Sequence, residues 1–185
     1  MKIEDLFKII DSKNEIILSI DGKCGSGKTT LSNLLKEKYN CNVFHMDDFF
    51  LQPYQRTEKR YNEPGGNVDY ERFESEILIP LSKHEDIDYS KFNCAKMRLE
   101  PKIHIPYKAI NIIEGSYSMH PNLQKYYTHS IFLQLDEDTR LSRIKKRNPD
   151  TYNMFINRWI PLENLYFDAF SIQQNCDYTI ITDQN

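Results

Sequence analysis

Gly22-Lys23-Cys24-Gly25-Ser26-Gly27-Lys28-Thr29 is the stretch on which the fold is decided. It satisfies the pattern GxxxxGK[ST], follows the apolar run EIILSI (15–20) and opens a helical pattern over 28–39. Three of the six glycines in the chain lie within it. A backbone that curls with its N–H groups inward needs residues free to adopt positive φ. Such a turn, with the N-terminus of the helix behind it, binds phosphate oxygens. Gly22, Gly25, Ser26, Gly27 and Thr30 are the expected nucleotide contacts. Lys28 adds a point charge near the β- and γ-phosphates, and Thr29 a hydroxyl for Mg²⁺. The expected ligands are ATP and Mg²⁺.

Outward from this turn, short apolar runs at 42–46, 109–113, 130–135 and 177–182 alternate with helical patterns, including one over 138–147. Strands separated by helices predict right-handed crossovers and a parallel sheet covered on both faces, an α/β three-layer fold. Two stretches break the rhythm. Residues 51–68 carry Pro53, Pro64, Gly65 and Gly66 among charges and read as a mobile loop. Residues 86–107 alternate polar and apolar and read as a small β-hairpin outside the main sheet. A long helix is expected over 151–170, bent near Pro161.

The 185 residues fit one domain, with insertions at 51–68 and 86–107 and a short lid at about 140–152. Apolar residues make up 39% and charged residues 28%, which excludes a disordered or fibrous chain. A formal net charge of −3 and the lack of a basic run argue against nucleic acid as a partner. No apolar run approaches the length of a membrane span, and the acid-bearing amphipathic N-terminus is not a signal peptide. Cys24, Cys41, Cys94 and Cys176 form no CxxC pair and read as free thiols in a reducing, cytoplasmic setting. Homo-oligomerisation is left open.

Neither a DxxG–NKxD pair, as a small GTPase needs, nor an LSGGQ-like signature is present, and the length leaves little room for a motor or an AAA module. A small-molecule kinase needs a carboxylate for the acceptor hydroxyl, an acid near Mg²⁺ and a basic lid. Asp47 ends the second strand, where ligands meet parallel sheets. Glu114 ends the third, and with Thr29 and Asp47 makes up the candidate Mg²⁺ set. Arg140, Arg143 and Arg147, spaced 3 and 4, share one helical face suited to phosphate charge. Tyr54, Arg56 and Tyr89 are candidate contacts to the acceptor, mixing aromatic faces with cations. Trp159 reads as core packing.

SIDGKCGSGKTT (19–30), HMDDFF (45–50), INIIEG (110–115), DTRLSRIKKR (138–147) and CDYTII (176–181) together resemble the uridine kinase family, in the wider group with phosphoribulokinase and pantothenate kinase. The resemblance implies phosphoryl transfer from ATP to a hydroxyl of a small metabolite. It also implies Asp47 as base, Glu114 as the acid near Mg²⁺, and Arg140 and Arg143 as contacts to acceptor and phosphates. The acceptor region departs from the family. Pro64-Gly65-Gly66-Asn67-Val68-Asp69 lacks the Asp that holds ribose hydroxyls, and Cys94 stands five residues after Tyr89 where a His is usual. The lid after Arg147 is cut to Asn148-Pro149-Asp150. The acceptor therefore stays open between uridine and a non-pyrimidine compound such as pantothenate, a vitamin riboside or a sugar phosphate, with a nucleotide-binding regulator that has lost transfer as the alternative.

Overall fold

The computed structural model describes residues 1–182. Its central sheet holds β1 (Ile16–Asp21), β2 (Cys41–His45), β7 (Ile110–Glu114), β8 (His129–Gln134) and β9 (Tyr178–Ile181) in the order β2-β7-β1-β8-β9, every neighbouring pair parallel. All five lie where apolar runs predict them. β1 is central, and its alternation feeds two layers. Ile16, Leu18 and Ile20 pack with Leu6 and Ile10 of α1 (Ile3–Asp11) and with Leu31 and Leu35 of α2 (Lys28–Lys38). Ile17 turns to the opposite core, where Phe73, Ile77, Tyr166 and Phe167 lie. A strand buried on both faces explains why EIILSI reads as a continuous apolar run.

Register places the site. Glu114 lies opposite Ile20 of β1 on one side and His45 of β2 on the other, so three strand ends converge on the turn that follows β1. The two interruptions resolve differently. The first holds α3 (Glu58–Asn62), and between the two the chain forms α4 (Tyr70–Phe73) and α5 (Ile79–Ser82), joined by a π-helical turn. In place of the loop expected over 51–68, a 3₁₀ turn at Pro53–Gln55 and α3 are laced by Arg60. Its guanidinium donates to the Gly66 and Val68 carbonyls at 2.8 and 3.0 Å and to both Glu71 oxygens at 2.7 and 2.6 Å. The hairpin expected over 86–107 is present. β3 (Ile87–Tyr89) pairs antiparallel with β6 (Ile103–Ile105), and β4 (Phe92–Asn93) with β5 (Arg98–Leu99).

Beyond β8, α6 (Glu137–Arg147) begins on Asp136, whose side chain accepts from the Thr139 amide. Acids in its first turn and Lys145, Lys146 and Arg147 in its last complement the helix dipole. The helix expected over 151–170 is three segments: α7 (Tyr152–Met154), a π-helical turn at Phe155–Trp159, and α8 (Ile160–Ala169). Pro161, with no amide hydrogen to give, sits in the first turn of α8, so the expected bend takes the form of a widened turn just before it. α9 (Ile172–Asn175) leads into β9.

Candidate active site

The turn at 22–29 is shaped by its glycines and anchored from beneath. Gly22 has φ +146°, and a Cβ there would lie 2.5 Å from the Leu133 carbonyl oxygen, so no other residue fits. Gly27 caps α2 in the left-handed region at φ +102°, with no side chain on the helix N-terminus and no acid in its first turn. The contrast with α6 is physical: the first amides of α2 are left for an external anion. Asp21 is fully buried below, accepting from Gly22 N at 2.7 Å, Met119 N at 2.9 Å and the Tyr166 hydroxyl at 2.8 Å. Burial pushes its carboxyl up to about 6, against those donors and Lys28, which pull it down.

Lys28 folds back over the turn, its Nζ donating to the carbonyls of Gly22 at 2.6 Å and Lys23 at 3.2 Å and to Ser116 Oγ at 3.3 Å. Thr29 Oγ1 donates to Glu114 Oε1 at 3.4 Å. Glu114 is 5% exposed and pairs with His45 Nδ1, and that hydrogen bond holds the imidazole above its ordinary pKa despite desolvation. A solvent-facing hydroxyl beside a buried carboxylate, both hard oxygens, fits a Mg²⁺ ion that keeps most of its waters.

A cavity of about 860 Å³ opens over the turn and runs to Asp47. Residues 24–30, Glu114, Arg143 and Arg147 line one part, and Asp47, Phe50, Asn67 and Cys94 another. The Asp47 side chain opens into this cleft, yet the protein around the cleft desolvates its carboxyl and raises its pKa. Glu114 and Glu163 push in the same direction, while Lys28 opposes them. A carboxylate of raised pKa is a better proton acceptor near neutrality than a surface acid. Asp48 is engaged elsewhere, accepting from Lys91 Nζ at 2.9 Å and the Tyr89 hydroxyl at 3.5 Å. Burial pushes the four thiols upward, Cys24 to about 12, which leaves no thiolate nucleophile near neutral pH.

Several residues expected at the site point elsewhere. Arg140 is 2% exposed and donates to the Cys24 carbonyl at 2.8 Å, so it braces the turn from outside while Arg143 and Arg147 line the cavity. The shared helical face is real, but Arg140 on its first turn meets protein while Arg143 and Arg147 on its later turns reach the cavity wall. Tyr89 is 4% exposed, stacked on Phe49 at 5.7 Å in the core. Tyr54 is 75% exposed and bonded to Gln52, and Arg56 Nε donates to the Leu51 carbonyl. None of the three lines the cavity. Trp159, expected in the core, does line it, edge-to-face with Phe155 at 4.5 Å.

Sequence reasoning missed Ser116, Tyr117 and above all Glu163. The Glu163 carboxylate accepts from Cys24 N at 3.0 and 3.2 Å and from Ser116 Oγ at 2.6 Å. The turn thus already presents an inward amide to an oxyanion, which is the property a phosphate needs. One signal could have found Glu163: it is the sole charge in the run IPLENLYF (160–167).

The chain resembles known proteins along most of its length. A tRNA-specific adenosine deaminase subunit, tad2, of Schizosaccharomyces pombe is 26% identical over 95% of this chain, which spans 46% of that protein's length, about half. A uridine kinase of Latilactobacillus sakei is 26% identical, with 75% of this chain and 69% of that protein covered. A solved structure described as a "possible uridine kinase" from Bacillus stearothermophilus superposes with a TM-score of 0.73 at 21% identity, covering 96% of each chain. The chain is therefore P-loop kinase-like in fold, as the resemblance to uridine kinases implies. The family model that matches, described as an AAA domain, spans residues 18–160, which corrects the expectation that the length leaves little room for such a module. With that match running from β1 through the cradle to the start of α8, the chain belongs to the AAA_18 family of P-loop domains.

Proposed function

We propose that this protein is a kinase that transfers the γ-phosphoryl group of ATP to a hydroxyl of a small metabolite. The observation that carries the reading is that the phosphate turn and Asp47 line one cavity, with Glu114 between their strands. The amides of 25–29 and Lys28 hold the phosphates of ATP. Arg143 and Arg147 close on the transferring group from the lid side, where guanidinium charge stabilises the transition state. Thr29 and Glu114, with Asp47, would hold Mg²⁺, which when bound would neutralise charge on the phosphate oxygens. Asp47 accepts the acceptor's hydroxyl proton, the freed oxygen attacks the γ-phosphorus, and the bond to the bridging oxygen breaks to release ADP.

The acceptor end is walled by Phe50, Tyr117, Phe155 and Trp159, a set suited to the face of a ring or an apolar edge. Cys94 lines the cavity while Tyr89 is spent on the core, which favours a non-pyrimidine acceptor over uridine. Among the described residues no helix is long and apolar enough to cross a membrane. Four free thiols fit a cytoplasmic enzyme. A thermal-shift screen of metabolite alcohols, run with Mg²⁺ and a non-hydrolysable ATP analogue, tests the reading. Stabilisation by an alcohol that depends on the nucleotide supports it. Stabilisation by neither nucleotide nor any alcohol sinks it.

A further inference from the structure

Glu163 raises a question that phosphoryl transfer alone does not answer, because its carboxylate sits in the phosphate cradle. The residue is 5% exposed, and both its bonds to the turn end on Cys24 N–H. Its third bond is from Ser116 Oγ, which in turn lies 3.3 Å from Lys28 Nζ. Its charge also reaches Asp47, whose carboxyl it holds up. Glu163 and Asp47 thus line one cavity, with the Glu163 carboxylate held on the Cys24 amide. That is where a phosphoryl group on its way from nucleotide to acceptor must lie. The amides at the N-terminus of α2, which take the preceding phosphates, are left clear of it.

We infer that Glu163 is a specificity-determining residue that occupies the position of the terminal phosphate and so sets the balance between nucleoside triphosphate and diphosphate binding. The inference rests on the nucleotide reading of the cradle. A diphosphate fills the α2 end and leaves Glu163 in place. A triphosphate has to displace it, since two anions cannot share one amide. Cys24 N–H and Ser116 Oγ then pass from carboxylate to phosphate with no bond lost. The π-helical turn at Phe155–Trp159 and Pro161 lie immediately before the segment that carries Glu163, a place where a helix gives easily.

The experiment is calorimetric binding of Mg-ADP and of the Mg complex of the β,γ-imido analogue of ATP to the full chain, to Glu163→Gln and to Glu163→Ala. Gln keeps the shape and an accepting oxygen, so it guards against a folding artefact. Both variants should bind the triphosphate analogue at least about tenfold more tightly, with ADP affinity changed by less than about twofold. An unchanged or weakened triphosphate affinity overturns the inference, as does an equal shift for both nucleotides, which would mark a general field effect. If no form of the protein binds either nucleotide, the reading of the cradle fails as well, which separates that failure from a fault in the role of Glu163.

Discussion

Tyr166→Phe removes a hydrogen-bond donor from Asp21, a fully buried carboxyl group, and its cost should depend on pH. The Tyr166 hydroxyl lies 2.8 Å from Asp21 Oδ2, and both residues are 0% exposed. Asp21 has its pKa raised to about 6 from 3.8 because burial disfavours its charge. The folded state thus binds the Asp21 proton more tightly than the unfolded chain. Above about pH 6 the ionised, buried carboxylate costs about 3 kcal/mol, and below about pH 4 that cost vanishes, so this group lowers stability as pH rises between those limits. Its donors limit the cost, and a hydrogen bond to a charged group is worth about 1.5–3 kcal/mol against roughly 1 for a neutral one. At pH 8, Tyr166→Phe should therefore cost about 2 kcal/mol. At pH 5, where the folded-state carboxyl is about nine-tenths protonated, it should cost about 1 kcal/mol. The difference, about 1 kcal/mol, corresponds to a rise of about 0.7 unit in the Asp21 pKa. Urea denaturation of both proteins at the two pH values measures this directly. A cost independent of pH, or below about 0.5 kcal/mol at pH 8, would refute the view that an ionised Asp21 anchors the phosphate turn.

Gly22→Ala and Gly27→Ala should separate strain from collision. Both positions have positive φ, worth about 1–2 kcal/mol to an alanine, but only Gly22 also faces a backbone oxygen, at 2.5 Å. Gly22→Ala should be the more destabilising by at least about 1 kcal/mol in urea melts, and equal losses would count against the geometry. The acid limb of kcat/KM should lie above the ordinary carboxylate range, because the Asp47 pKa is raised. Glu163→Gln removes one of the charges that raise it and should move that limb to lower pH; a limb that stays put would show that Asp47 is not the titrating group. Lys28→Ala should lower ATP affinity and turnover together by tenfold or more, and unchanged values would dispose of the cradle.

What could be read from the sequence follows how local the determinants are. The turn at 22–29 reads plainly because its glycines, lysine and threonine are contiguous, and the strand before it is buried on both faces. Asp47 and Glu114 could be located because each follows an apolar run whose end must reach the ligand edge of a parallel sheet. Arg140 was legible as a member of a basic face, but not as the one whose turn of helix abuts Cys24, 116 residues away. Tyr89 went to the core because β3 packs under Phe49, a fact of tertiary placement rather than pattern. Glu163 reaches the turn across 139 residues and belongs to no motif. The order in 51–68 escaped notice because Arg60 finds Glu71 beyond the glycines that mark the segment as irregular.

Transfer itself is the measurement closest to the central claim. Incubated with ATP, Mg²⁺ and the alcohol that stabilises it best, the protein should yield ADP and a phosphomonoester in equal amounts, read by ³¹P NMR and mass. Asp47→Asn should bind ATP within about threefold of the unaltered protein and form the ester at least about a hundredfold more slowly. Undiminished ester formation by Asp47→Asn, or ADP released with inorganic phosphate alone, would contradict the account.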